Sequence, residues 1–191
     1  MHAMTTVGRP RDPRVDEALR RVVQELLVAD GYSGLTVQGV ARSAGVSPAT
    51  VYRRFPGKRE LVEWAAFQVQ EWVEPAWTGS YDRDLAILTE ILLAWLAQPA
   101  VRAAVPGLLA EYVTGSTGYV ALLASTVSPV RRALGGLHAD AVAAGEARPG
   151  ADLDAVLDVL LGAVLLEAMT RSGPVRPAAE RIADVIRRAT S

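Results

Sequence analysis

Apolar residues recur along the chain at intervals of three and four, and the alternation and β-branched clusters that mark strands are missing. This pattern predicts an all-α protein of about ten helices. The first helix is expected to open with Asp12 as N-cap and Pro13 at its first position. It would carry the stripe Val15, Leu19, Val22, Val23, Leu26 and Leu27 to a stop at Gly31. Thr36 caps a short second helix through Ala44, which Gly45 breaks. Ser47 caps a third, begun by Pro48 and closed near Arg54, before Phe55-Pro56-Gly57 turns the chain. A fourth runs from Lys58 into the low seventies, carrying Leu61, Val62, Trp64, Ala65, Val69 and Trp72, and Pro75 and Gly79 interrupt it.

Beyond it, helices are predicted at about 82–97, 99–105, 106–114, 118–125, 129–144, 152–171 and 177–189, with Pro106 and Pro129 read as fresh starts. The most apolar run, Val159 to Leu166, is eight residues long and bounded by Asp158 and Glu167. A bilayer span needs roughly 20, so no membrane association is expected.

Composition narrows the chemistry. The 191 residues include no cysteine, and His2 and His138 are the only histidines. Thiolate nucleophiles and cysteine-based metal sites are thereby excluded, and imidazoles are too few for the usual metal-hydrolase or serine-triad constellations. No catalytic residue, metal or cofactor is expected, and the chain does not read as an enzyme. Residues Met1 to Arg14 lack the apolar segment of a secretory signal, so a cytoplasmic location is expected. Up to Trp64 there are 10 basic and 7 acidic side chains, and beyond it 10 and 14. A basic N-terminal module suited to a polyanion, followed by an acidic module with another task, fits that asymmetry.

The segment Leu35 to Phe55 has the layout of a helix-turn-helix. Val37, Val40, Ala41, Val46, Val51 and Phe55 can face inward together, Gly45 gives the turn its backbone freedom, and Ala41 and Ala44 permit close helix approach. Ser47, Pro48, Ala49, Thr50, Tyr52, Arg53 and Arg54 remain outward. Guanidiniums suit guanine edges and phosphates, hydroxyls suit phosphates, and a methyl suits thymine. A surface helix with solvated arginines would carry the same residues.

The residues Gly31-Tyr32, Leu35-Thr36-Val37, Val40-Ala41, Gly45-Val46-Ser47, Thr50-Val51-Tyr52, Phe55 and Lys58-Arg59-Glu60-Leu61 closely resemble the N-terminal signature of the TetR family of bacterial transcriptional regulators. The resemblance covers about Arg14 to Trp64; beyond it the likeness is one of architecture. It implies a flexible basic arm (1–12), a helix-turn-helix DNA-binding domain (13–57), a connecting helix (58–74) and a C-terminal regulatory and dimerisation domain (75–191). The third helix would then lie in the major groove, with Ser47, Pro48, Ala49, Thr50 and Arg53 near base edges or flanking phosphates and Tyr52 on a phosphate. Thr36 and Gln38 would contact backbone and one base, and Lys58 would hold a phosphate. Arg9 and Arg11 would enter the minor groove, or belong to a plain exposed tail. Arg54 either reaches DNA, the reading preferred here, or complements its own helix end.

The resemblance also implies a homodimer on a palindromic operator of double-stranded DNA, most simply a repressor released by a small, largely apolar effector. Candidate effector contacts are Leu92, Trp95, Leu108, Glu111, Tyr112, Tyr119, Leu165 and Met169, with Glu111 as the acid inside the pocket; plain core packing would use the same apolar stripes. Candidate interface residues are Val130, Leu134, Leu137, His138, Leu157, Leu161, Gly162 and Leu165. The run from Val156 to Leu166 is apolar on more faces than one core uses, unless it is the central helix of a monomer. The alternative function is a DNA-binding dimer whose second domain only dimerises or recruits a protein.

Overall fold

The computed structural model describes residues 13–67, 74–113, 118–171 and 173–191, with the backbone alone for 118–126. Among the described residues there are nine helices and no strand: α1 Pro13–Gly34, α2 Val37–Ser43, α3 Pro48–Tyr52, α4 Lys58–Phe67, α5 Tyr81–Leu96, α6 Pro99–Val113, α7 Gly118–Ala143, α8 Leu153–Thr170 and α9 Val175–Thr190. The all-α expectation holds. The chain divides into two compact units, Met1–Ala66 and Phe67–Ser191. No single helix among the described residues is long and apolar enough to cross a membrane.

In the first unit, the stripe of α1 buries Leu19, Val22, Val23 and Leu27, while Val15 and Leu26 stay half-buried. The helical run breaks at Gly31, whose backbone takes φ 68° and ψ 178°, a conformation open to glycine and closed to most other residues. The short turn that follows still belongs to α1, so Gly31 interrupts the element instead of ending it. Leu61, Val62 and Ala65 of α4 are buried, and Gln24 Nε2 donates to the Ala65 carbonyl at 3.0 Å, which makes α4 part of this unit's core. The Asp12 cap and the continuation of α4 through 68–73 lie outside the described residues.

The second unit packs α5 against α7, α8 and α9 around Leu85, Leu88, Leu134, Leu157, Leu160 and Ile186. Two predicted helix starts fall inside helices: Pro106 lies within α6 and Pro129 within α7. A proline in a helix interior forfeits one backbone bond and costs about 3 kcal/mol. Apolar residues beside both prolines are buried, Val105 and Leu108 in α6 and Val130, Ala133 and Leu134 in α7. Burying an aliphatic side chain returns about 1.5–3 kcal/mol, so packing outweighs the break.

Among the described residues, the buried polar side chains of this unit are paired. Asp84 accepts from Thr78 N and Thr78 Oγ1, both at 2.8 Å, and from Gly79 N at 3.0 Å, tying the loop before α5 to its first turn. The Tyr81 hydroxyl meets Thr190 Oγ1 at 2.9 Å and His138 Nδ1 at 3.4 Å, joining α5, α7 and α9.

Candidate nucleic-acid interface

The turn between α2 and α3 is set by local chemistry. Thr36 Oγ1 accepts from Gly39 N at 3.0 Å and caps α2. At the other end Gly45 adopts φ +68°, Val46 N donates to the Ala41 carbonyl at 3.0 Å and Gly45 N to the Arg42 carbonyl at 3.2 Å. Those two bonds satisfy carbonyls that the helix end leaves open, and they need a left-handed residue at position 45. Ser47 Oγ then accepts from Thr50 N at 3.2 Å, and Pro48 starts α3 with φ already suited to a helix.

Val40, Ala41 and Val51 are fully buried beneath this turn, whereas Val46 and Phe55 are half-buried. Phe55 packs against Trp64 of α4, the two rings tilted at 41° with centroids 4.8 Å apart. The opposite side carries the exposed residues Thr36, Gln38, Ser47, Pro48, Ala49, Tyr52 and Arg53, with Thr50 half-buried among them. Burial on one side and polar chemistry on the other thus follow from the positions of Val40, Ala41 and Val51.

The hydroxyls are partly engaged before any ligand arrives. Ser47 Oγ and Thr50 Oγ1 lie 2.9 Å apart, so one of their two protons is spent between them and one is left for an external acceptor. Gln38 Nε2 donates to Tyr52 Oη at 3.5 Å, a long contact that leaves the phenol proton free to point outward.

Two of the cations after α3, Arg54 and Lys58, have partners within the unit. Arg54 pairs with Asp16 of α1, and its side chain is only 14% exposed. Of the two readings of Arg54, this pairing favours a structural role within the unit: one of its N–H groups is engaged by a carboxylate and little of the side chain is exposed. Lys58, the first residue of α4, has its ammonium 4.3 Å from the centroid of the Tyr32 ring and donates to the Ser33 carbonyl at 3.5 Å. Asp16 and Tyr32 enter the site as partners that the sequence reading left out. Neither stands at helical or turn spacing from its cation, so no local pattern announces them. Arg9 and Arg11 lie outside the described residues.

In the second unit, the candidate effector residues divide. Leu92 and Leu108 are buried in the core, while Trp95, Leu165 and Met169 pack half-buried against it. Trp95 meets Phe67 edge-on at 5.6 Å. Tyr112 is half-buried, the side chain of Tyr119 is outside the described set, and Glu111 is exposed on α6. An acid inside a pocket would have to be largely enclosed, whereas α6 leaves the Glu111 side chain exposed. Of the candidate interface residues, Val130, Leu134, Leu137, His138 and Leu157 are buried within the chain's own second unit. They have little surface left to offer a second copy, and His138 is held by Tyr81 instead of lying at the surface. Leu161 and Leu165 are half-buried and Gly162 is exposed.

The family described as "Bacterial regulatory proteins, tetR family" matches residues 24–65, and "Tetracyclin repressor-like, C-terminal domain" matches residues 75–189. The chain belongs to the TetR family. An uncharacterised HTH-type transcriptional regulator of Mycobacterium bovis is 42% identical over 92 residues, which is 48% of this chain and 45% of the relative. The chain thus spans about half the length of the curated relatives it matches.

Among solved structures, a TetR transcriptional regulator from Agrobacterium tumefaciens superposes with a TM-score of 0.68 at 19% identity, over 92% of both chains. FadR from Bacillus subtilis, solved in complex with stearoyl-CoA, superposes with a TM-score of 0.64 at 14% identity, over 90% of this chain and 97% of that one. At these identities the likeness is one of TetR fold.

Proposed function

We propose that this TetR-family chain is a DNA-binding transcriptional regulator, acting as a homodimer that represses from a palindromic operator. The observation that carries this reading is the exposed side of α2 and α3. Thr36, Gln38, Ser47, Ala49, Tyr52 and Arg53 stand clear of a turn whose other side is fully buried at Val40, Ala41 and Val51. That set supplies phosphate donors, a guanidinium and a methyl on a helix short enough to enter a major groove.

A single such helix reads too few base pairs for specificity, so two copies on successive grooves follow, about one helical turn apart. The outward face of α8 is the proposed meeting surface. Ala155, Val159, Gly162 and Leu166 are exposed along one side of it, Val159 at 55% and Leu166 at 64%. An aliphatic surface of this kind on a helix between two charged ends is better covered than wet.

The effector is proposed to be a small molecule with a long apolar part, received near Trp95, Leu165 and Met169. Their half-burial against the core and the acyl-chain ligand of the FadR neighbour support that class. Its binding would be coupled to DNA release through the segment that begins with α4; a coupling of about 1–3 kcal/mol changes affinity 5- to 150-fold.

The test is selection of bound sequences from random duplex DNA, followed by affinity for the winner at several salt concentrations and in the presence of long-chain acyl thioesters. A palindromic consensus with a steep salt dependence is expected. No enrichment at low salt would overturn the DNA reading. Enrichment that no acyl compound alters would leave a dimer without this effector.

A further inference from the structure

We infer that Tyr32 is a positioning residue for DNA binding: its ring seats the Lys58 ammonium at the place where that group meets a backbone phosphate. The inference rests on the DNA reading given above and adds a residue to it. Lys58 is the only lysine of the sequence, beside 19 arginines. It opens α4, and its flexible stem would by itself leave the charge spread over many rotamers.

Two contacts narrow that spread. The ammonium stands 4.3 Å from the ring centroid of Tyr32, within cation–π range, and it donates to the Ser33 carbonyl at 3.5 Å. Both partners belong to the short turn after Gly31, and the break at Gly31 is what lets the chain turn there. Tyr32 itself is 7% exposed, so the ring is fixed by the core while the lysine remains half-exposed.

The ring face binds the cation without competing for its charge as a carboxylate would. An aspartate or glutamate at this place would neutralise the group and repel a phosphate. Arg54 illustrates that alternative, since Asp16 holds it and leaves it little exposed. An aromatic face and one carbonyl instead leave the ammonium its full charge and at least one N–H for an outside acceptor. Lysine suits such a seat as a compact point charge with three rotatable donors.

The test uses the full chain labelled with isotopic lysine, which gives one set of lysine side-chain signals. Stacking on Tyr32 predicts an upfield ring-current shift of the Lys58 ε-protons, kept in Tyr32→Phe and lost in Tyr32→Leu. Affinity is read on two probes, a duplex recovered from a random pool by the protein and a scrambled duplex of equal length. Tyr32→Leu should weaken both about two- to five-fold, Tyr32→Phe neither, and Tyr32→Leu should add nothing once Lys58→Ala is present.

An equal loss in the wild-type and Lys58→Ala backgrounds would mean that Tyr32 acts only through folding and would overturn the proposal. Absence of the ring-current shift would do the same while leaving the DNA reading intact. Failure of the wild-type chain to bind either duplex would overturn both. If Tyr32→Leu does not fold, pentafluorophenylalanine at position 32 keeps the ring and reverses its quadrupole, and the same loss of affinity is expected.

Discussion

Arg54 and Asp16 form an ion pair across 38 positions of sequence, joining the chain just after α3 to the first turns of α1. The two side chains are 14% and 29% exposed, so the pair is shielded well enough to matter more than a surface salt bridge does. Removing either partner leaves a poorly hydrated charge. Arg54→Ala and Asp16→Ala are each expected to destabilise the first unit by about 1–3 kcal/mol, and the double variant by less than the sum. Arg53→Ala should behave in the opposite way. Its side chain is exposed, so stability should hold while the salt slope of DNA binding falls by about one unit if it meets a phosphate. Urea titration beside salt-dependent binding separates the two; a lost salt slope with unchanged stability in Arg54→Ala would return that residue to the DNA surface.

Ser47 carries a second prediction, because its oxygen is a cap as well as a candidate DNA contact. Ser47→Ala should cost about 1 kcal/mol in local stability and Ser47→Gly only a few tenths. Native-state hydrogen exchange at the Thr50 amide, which donates to Ser47 Oγ, reads this directly. If DNA affinity falls equally in both variants, the hydroxyl contacts DNA; if it follows the exchange rate, the hydroxyl only builds the helix.

These residues also mark what could be read from sequence. Thr36, Gly45, Ser47 and Pro48 were legible because caps and turns act within a few residues, and the structure places each in that role. Pro106 and Pro129 misled for the same reason: a local break was outweighed by burial that depends on partners far away in the chain. The exposure of Glu111, the burial of His138 and the pairing of Arg54 were not legible, because side-chain exposure and long-range pairing follow from the tertiary packing of helices. A helical period shows that a face is apolar, but not whether it meets its own core or a second copy, and five of the eight interface candidates met the core.

Tyr81 gives the C-terminal unit a pH dependence. Burial raises its phenol above the ordinary value of 10.0, and the hydrogen bond with Thr190 opposes part of that rise. The unfolded chain therefore releases this proton before the folded one does. The stability contribution is complete below about pH 10 and is lost as pH climbs through the raised folded value. Tyr81→Phe should lower stability near neutrality by about 1 kcal/mol, through loss of the Thr190 bond, yet decline less steeply in alkali. Denaturant midpoints followed from neutral into alkaline solution check the sign; parallel declines for both proteins would refute it.

The face of α8 can be tested through its glycine. Gly162 is exposed, and a Cβ built there meets nothing within 4 Å in the subunit. In an isolated chain Gly162→Ala should therefore stabilise α8 by up to about 1 kcal/mol, since alanine loses less backbone entropy in a helix. If a second copy packs along Ala155, Val159, Gly162 and Leu166, the same methyl enters a close helix contact and weakens association. The expected result is opposite signs: a stabilised subunit at low concentration and a weaker dimer by sedimentation equilibrium. Leu166→Asp, at a position 64% exposed within the subunit, should give a monomer with unchanged helix content. A dimer that tolerates that charge uses another surface, and the spacing of its two recognition helices would have to be sought from there.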